Sequence, residues 1–181
     1  MKKMFSLWNE LARQDGFRGL HIVSMNMPTD SEYVKGIARY GQYGKYDRHP
    51  IVNVKNKLIR KYKLPLGTGL VLRYKRVWKN MIKEKPEKNI QTYPGAVVKY
   101  DETPRKGKNG VYIKGATPEL FGKFMKKQIE RAEEVYKSDF IFLDAWNEWG
   151  EGNYLEPDTE DGYRYLEELA GAVMRGDTNG N

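Results

Sequence analysis

Residues 144–158 read Asp-Ala-Trp-Asn-Glu-Trp-Gly-Glu-Gly-Asn-Tyr-Leu-Glu-Pro-Asp. Two carboxylates, Glu148 and Glu151, stand three residues apart, beside Trp146, Asn147 and Trp149 and against Gly150 and Gly152. Paired carboxylates can divide acid and base work when their surroundings push their pKa values apart. Aromatic faces suit the apolar face of a sugar ring. The residue types therefore point to chemistry on carbohydrate. Against this stands a plainer reading, in which acidic residues of a strand-to-helix loop cap the helix or are merely solvated, and tryptophans are core. The density of functional types within a few residues, framed by glycines that permit tight turns, favours a site.

Other residues offer less. The 181-residue chain has no cysteine, which removes disulfides, thiolate metal ligands and a cysteine nucleophile. Its two histidines, His21 and His49, are too few and too far apart for a zinc cluster, so no metal and no cofactor is expected. His21 falls in a candidate strand, where a satisfied core role outweighs catalysis, and His49 before Pro50 reads as a loop residue. Asp101 and Arg105 follow another candidate strand and could face the same mouth as Glu148. Arg105 could hold a carboxylate or phosphate bidentately, or make an ordinary surface ion pair. Lys106, Lys108 and Lys114 lie among Gly107, Asn109 and Gly110, match no Walker pattern and read as a solvated loop. Tyr40, Tyr43 and Tyr46 recur every three residues, and whether they line a sugar groove stays open.

The elements that would position these groups alternate in type. Phe5, Trp8, Leu11 and Ala12 predict a helix over 4–15 with Gly16 as its C-cap. Residues 19–25 read as a strand buried on both faces. Thr29, Asp30 and Ser31 offer N-caps for a helix carrying Tyr33, Val34, Ile37 and Ala38. Residues 40–66 read as a long irregular connection with a basic segment at 55–63. Leu70, Val71, Tyr74, Val77, Trp78 and Met81 predict a helix over 69–84, although 64–72 also offers a fourth strand. Residues 90–98 form a strand that Pro94 and Gly95 should bulge or shorten. Residues 101–115 read as a loop rich in Gly and Lys. Thr117-Pro118-Glu119 opens the clearest helix, with a hydroxyl cap, a proline at the first position and a carboxylate near the positive end of the dipole. Its apolar face runs from Leu120 to Tyr136. A buried strand over 139–146 runs into the Trp- and Glu-rich segment. The last helix spans about 162–175, with Tyr163, Leu166, Leu169, Ala170, Val173 and Met174 facing inward. Strands alternating with helices argue for an α/β fold with a parallel sheet. In such a fold residues 144–158 lie at the carboxyl end of a strand, where active sites gather.

Charge narrows the function classes. The formal net charge is +8, but residues 45–114 hold 19 basic and 5 acidic side chains whereas 139–181 hold 2 and 11. A basic middle beside an acidic end fits a polyanion-binding surface, or two regions attracting one another inside one fold. No nucleic-acid-binding motif accompanies the charge, and no nucleic acid partner is expected. No apolar run approaches the roughly 20 residues that cross a bilayer. The stretch Met4–Trp8 after Lys2 and Lys3 is too short for a secretion signal, so a cytoplasmic protein without a membrane span is expected.

The run Asp144–Gly152, continued through Tyr154-Leu155-Glu156-Pro157-Asp158 to Gly162-Tyr163-Arg164-Tyr165-Leu166, resembles the C-terminal signature of the WbsX proteins. These are labelled glycosyltransferases of surface polysaccharide loci and are related to glycoside hydrolase family 99. Tyr100-Asp101-Glu102-Thr103-Pro104-Arg105 is similar to that family's Trp-Asp-Asn-Thr-Pro-Arg segment, with Tyr100 and Glu102 as departures, and Phe5 to Gly19 is similar to a helix midway along those proteins. The resemblance implies the C-terminal half of a (β/α)8 TIM barrel over residues 1–176, with a polar tail at 177–181, since a whole barrel takes about 250 residues. It implies an enzyme acting on the glycosidic bonds of an oligo- or polysaccharide, in polysaccharide or lipopolysaccharide O-antigen metabolism. Glu148 would be the base acting on the sugar's 2-hydroxyl and Glu151 the acid/base; Trp146, Asn147, Trp149, Tyr154, Glu156, Asp101 and Arg105 would contact substrate. The resemblance further implies that Met1 is not the start of the fold. Half a barrel bares its sheet edges, so the chain should pair with the N-terminal half or with a copy of itself and have little activity alone. The alternative is a catalytically inactive carbohydrate-binding fragment.

Overall fold

The computed structural model describes residues 2–26, 32–41, 43–47 and 50–174. The caps at Thr29, Asp30 and Ser31, His49, and the tail at 177–181 lie outside the described residues. In chain order the elements are α1 (Lys2–Gln14), β1 (Ile22–Met25), β2 (Val34–Arg39), α2 (Gly44–Asp47), α3 (Pro50–Lys61), β3 (Leu70–Arg73), α4 (Tyr74–Met81), β4 (Gln91–Val97), α5 (Thr103–Lys106), β5 (Val111–Lys114), α6 (Pro118–Arg131), β6 (Phe142–Asp144), β7 (Asn147–Glu148), β8 (Asn153–Tyr154) and α7 (Arg164–Met174). Strands β1, β2, β4 and β6 lie side by side in that order, all parallel, and curl into a half-barrel of the α/β class. β3 and β5 form a separate parallel ribbon, and β7 and β8 a short antiparallel hairpin just past β6.

The segment expected as a second helix is the strand β2. Tyr33, Val34, Ile37 and Ala38 fit a helical face, but Gly36-Ile37-Ala38 is a continuous buried run between two strands. A side chain at Gly36 would strike the Tyr93 ring. β4 runs for seven residues, the first four in unbroken register with β2 and the next three with β6, so Pro94 and Gly95 neither bulge nor shorten it. Gly95 serves close approach instead, because a Cβ there would lie 1.7 Å from the Arg39 carbonyl oxygen.

Four further expectations change. The irregular stretch 40–66 contains α2 and α3, so the basic segment is largely helical. Residues 69–84 divide into strand β3, outside the main sheet, and helix α4. The loop expected at 101–115 holds α5, a 3-10 turn and β5. On α7 the buried face is Tyr165 and Ala172 with Leu166 and Leu169 partly covered, whereas Tyr163, Ala170, Val173 and Met174 are exposed.

Two helix ends follow their sequence signals. Gly16 (φ +88°) closes α1, donating to the Arg13 carbonyl at 3.1 Å while Phe17 N–H donates to the Ala12 carbonyl at 3.0 Å. The Thr117 hydroxyl accepts from Leu120 N–H at 3.3 Å, with Pro118 as the first residue of α6. The main core lies between the sheet and α4, α6 and α7; Trp78 stacks on Phe124 at 5.4 Å between centroids, and Phe121 packs against Tyr165. Among the described residues no helix is long and apolar enough to cross a membrane.

Candidate active site at the carboxyl end of the sheet

Parallel strands place their carboxyl ends on one rim. Asn26 after β1, Tyr40 after β2, Val98 to Tyr100 after β4 and Asp144 at the end of β6 meet there. The peptide Asp144–Ala145 is cis, and the chain then turns into the β7–β8 hairpin. The carbonyl of Trp146 accepts from Leu155 N–H (2.9 Å) and Glu156 N–H (3.1 Å), which closes that hairpin.

Glu148 on β7 is exposed. Glu151 ends a 3-10 turn, half-buried, and its carboxylate is paired with the Arg105 guanidinium. The Glu151 carbonyl accepts from Asp101 N–H at 2.7 Å, so the segment after β4 is pinned to the carboxylate loop. Asp144, half-buried, is a third carboxylate on the rim and accepts from the Tyr43 hydroxyl. Burial pushes its carboxyl above the ordinary range, the Tyr43 bond opposes that, and the nearby Glu151 and Glu148 charges add to it. The Tyr43 and Tyr100 rings meet edge to face at 5.4 Å between centroids. Burial and the Asp144 charge raise the Tyr43 hydroxyl, and burial together with Glu151 and Glu102 raises that of Tyr100.

An aromatic platform flanks the carboxylates. Trp149 and Tyr154 stack at 3.8 Å between centroids, and Trp149 Nε1 donates to Glu156 at 2.6 Å. Lys99 holds its ammonium 3.9 Å from the centre of the Tyr154 ring and 2.7 Å from the Asp158 carboxylate. Trp146 and Asn147 present exposed side chains on the same loop.

Of the candidate site residues, Glu148, Glu151, Arg105, Trp146, Asn147, Trp149, Tyr154 and Glu156 gather on this rim. Asp101 is engaged locally: its Oδ1 accepts from the N–H (2.8 Å) and hydroxyl (2.6 Å) of Thr103 at the start of α5. Glu102 points inward. Burial raises its carboxyl, but Lys106, Val111 N–H and Arg105 outweigh that and hold it below the ordinary range. His21 is not core: it is exposed ahead of β1, at the opposite end of the sheet, and sits 2.7 Å from the Tyr93 hydroxyl. Tyr40 stacks on Phe142 and Tyr46 donates to Glu84 at 2.5 Å, so of the three spaced tyrosines only Tyr43 reaches the carboxylates. Lys108 donates to the Pro65 carbonyl at 2.8 Å and Lys106 pairs with Glu102; neither cradles an anion. Sequence reasoning overlooked Asp144 and Asn153. Asp144 opens the acidic motif, and the fully buried Asn153 lies beside both Tyr43 and Asp144. Among the described residues no group of three His, Cys, Asp or Glu side chains is arranged to hold a metal ion. A cleft of about 500 Å³ opens beside the tyrosine pair, lined by Gly41, Tyr43, Lys45, Asn53, Leu70 and Tyr100.

Fold and rim together define a partial (β/α) barrel with an acidic, aromatic-lined carboxyl end. Residues 1–169 match the family described as "Glycosyltransferase WbsX", and the chain belongs to that family. It is 30% identical over 129 residues to "Uncharacterized protein WxcX" of Xanthomonas campestris pv. campestris, a match covering 70% of this chain and 18% of that protein. The protein of the same name from strain B100 is 29% identical over the same length. The chain thus spans less than a fifth of these relatives' length. No solved structure matches it.

Proposed function

We propose that this rim makes or breaks glycosidic bonds, with Glu148 and Glu151 as the working carboxylates. The observation that carries the reading is the convergence of both carboxylates with the stacked Trp149–Tyr154 platform on one strand-end loop. In the scheme that the resemblance implies, Glu148 takes the proton of the sugar's 2-hydroxyl as that oxygen attacks the anomeric carbon. The bond to the leaving oxygen breaks as Glu151 gives it a proton. Water or an acceptor hydroxyl then opens the resulting epoxide-like ring, returning its own proton to Glu151 while the 2-oxygen regains one from Glu148. Transfer and hydrolysis differ only in which hydroxyl arrives, and the family description supports transfer. The substrate is an oligo- or polysaccharide of surface polysaccharide assembly, and Arg105 sets the carboxylate of Glu151.

The test is Glu151→Gln in the complete protein. Turnover should fall by about 10²- to 10⁴-fold, the usual share of general acid–base catalysis, with the circular dichroism spectrum unchanged. Unchanged turnover would reject the assignment. A second reading, glycan binding without turnover, is favoured by the four-stranded, half-barrel sheet that the described residues form; binding without product, even with the remaining barrel strands supplied, would establish it.

A further inference from the structure

The basic segment of the sequence acquires a face in the fold. Asn53, Asn56, Lys57 and Arg60 stand at i, i+3, i+4 and i+7 on α3 and line one wall of a second cavity, of about 380 Å³. The opposite wall is the β3–β5 ribbon with Thr68 and Asn109. Asn53, Leu70 and Val111 belong to this cavity and to the 500 Å³ cleft beside Tyr43 and Tyr100 alike. The two cavities are neighbours across these three residues. Tyr43 and Tyr100 line the first, Lys57 and Arg60 the second.

The walls are fixed to one another. Asn56 Nδ2 donates to the Thr68 carbonyl at 2.8 Å, and Asn109 Oδ1 accepts from Thr68 N–H at 3.0 Å. Asn56 Oδ1 is buried and has no hydrogen-bond partner among the described residues. Lys57 and Arg60 are exposed and make no ion pair among the described residues, whereas Arg73, Arg76, Arg105 and Lys106 all do. No Asp or Glu lines either cavity. Amide groups and aromatic rings suffice to hold a neutral sugar chain. Two unneutralised cations in the second cavity select negative charge, Arg in the planar geometry that fits carboxylate or phosphate.

Resting on the reading of the rim as a glycosidic site, we infer that the neighbouring cavities together take the extended arm of an acidic glycan, with its charged sugars against Lys57 and Arg60. The full chain is titrated calorimetrically at low salt with a galacturonic acid hexamer, its fully methyl-esterified form, a phosphorylated neutral hexamer, and a single-stranded RNA of equal charge. The acid hexamer should bind about tenfold more tightly than the ester, the size of one or two charge-assisted hydrogen bonds. Lys57→Ala/Arg60→Ala should erase that difference while leaving the spectrum and the binding of the ester as they were. The phosphorylated hexamer separates carboxylate from phosphate as the preferred charge. Equal affinity for acid and ester, a double variant that keeps the preference, or tighter binding of RNA than of either charged sugar would overturn the inference while leaving the glycosidic reading intact. Failure of every sugar to bind would overturn both.

Discussion

At Asp144 the fold and a single hydroxyl act in opposite directions. Burial favours the neutral acid, while the proton shared by Tyr43 favours the carboxylate. Removing the hydroxyl deletes the one that stabilises charge, so Tyr43→Phe should move the Asp144 titration further upward from a wild-type value already above the ordinary range near 3.9. Carbon-detected NMR of labelled aspartate reads this directly; a downward move would contradict the bonding described. An acid whose folded pKa is raised contributes its stability at low pH and loses it as pH rises through that pKa. None of this was legible beforehand. Glu148, Glu151 and the tryptophans announce themselves by type and spacing, but Asp144 differs from a solvated aspartate only in what buries it, and its hydroxyl partner lies about a hundred residues away.

Between elements, Lys99, two residues past β4, holds the turn that precedes α7. Its ammonium is 2.7 Å from Asp158, both side chains are largely buried, and Asp158 also accepts from the N–H groups of Glu160 and Asp161. Burial alone would raise the Asp158 carboxyl; Lys99 and the Asp161 amide outweigh it and hold it well below the ordinary range. Its stabilisation is therefore present above the unfolded value near 3.9 and lost as pH falls through the lower folded one. Asp158→Asn should cost about 3 kcal/mol at neutral pH, the scale of a buried pair left with one charge, and should flatten the loss of stability below about pH 4. Urea midpoints across the acid range test both parts. Gly95→Ala should be worse tolerated, because β4 cannot admit a methyl group against Arg39 without separating from β2; the variant should fail to fold cooperatively in a thermal melt. Strong local signals predicted α1 and α6 well. β2 was misread because an apolar pair repeated four residues later fits either period, and only the strands on both sides of Gly36 decide between them.

For the molecule as a whole, the parallel α/β class followed from alternation alone, whereas the separate ribbon did not, since strand pairing across some forty residues leaves no periodicity to read. The outer edges of β1 and β6 carry no strand among the described residues, and on α1 Leu7, Trp8 and Leu11 stand half-exposed. Bare edges and apolar stripes drive association. The chain alone should elute from a sizing column as mixed oligomers at micromolar concentration; a monodisperse monomer would contradict this. The β3–β5 ribbon shares no ladder with the four-stranded sheet, yet it is tied to the rim: Ile113 N–H donates to the Tyr100 carbonyl at 2.8 Å, Glu102 N–H to the Val111 carbonyl at 3.0 Å, and Asp101 N–H to the Glu151 carbonyl. On the reading proposed above, a change in the cavity wall is therefore felt at Glu151 through one short segment of backbone. On that reading the wall that holds the glycan and the loop that would carry the chemistry are inherited together, and selection on one acts on the other.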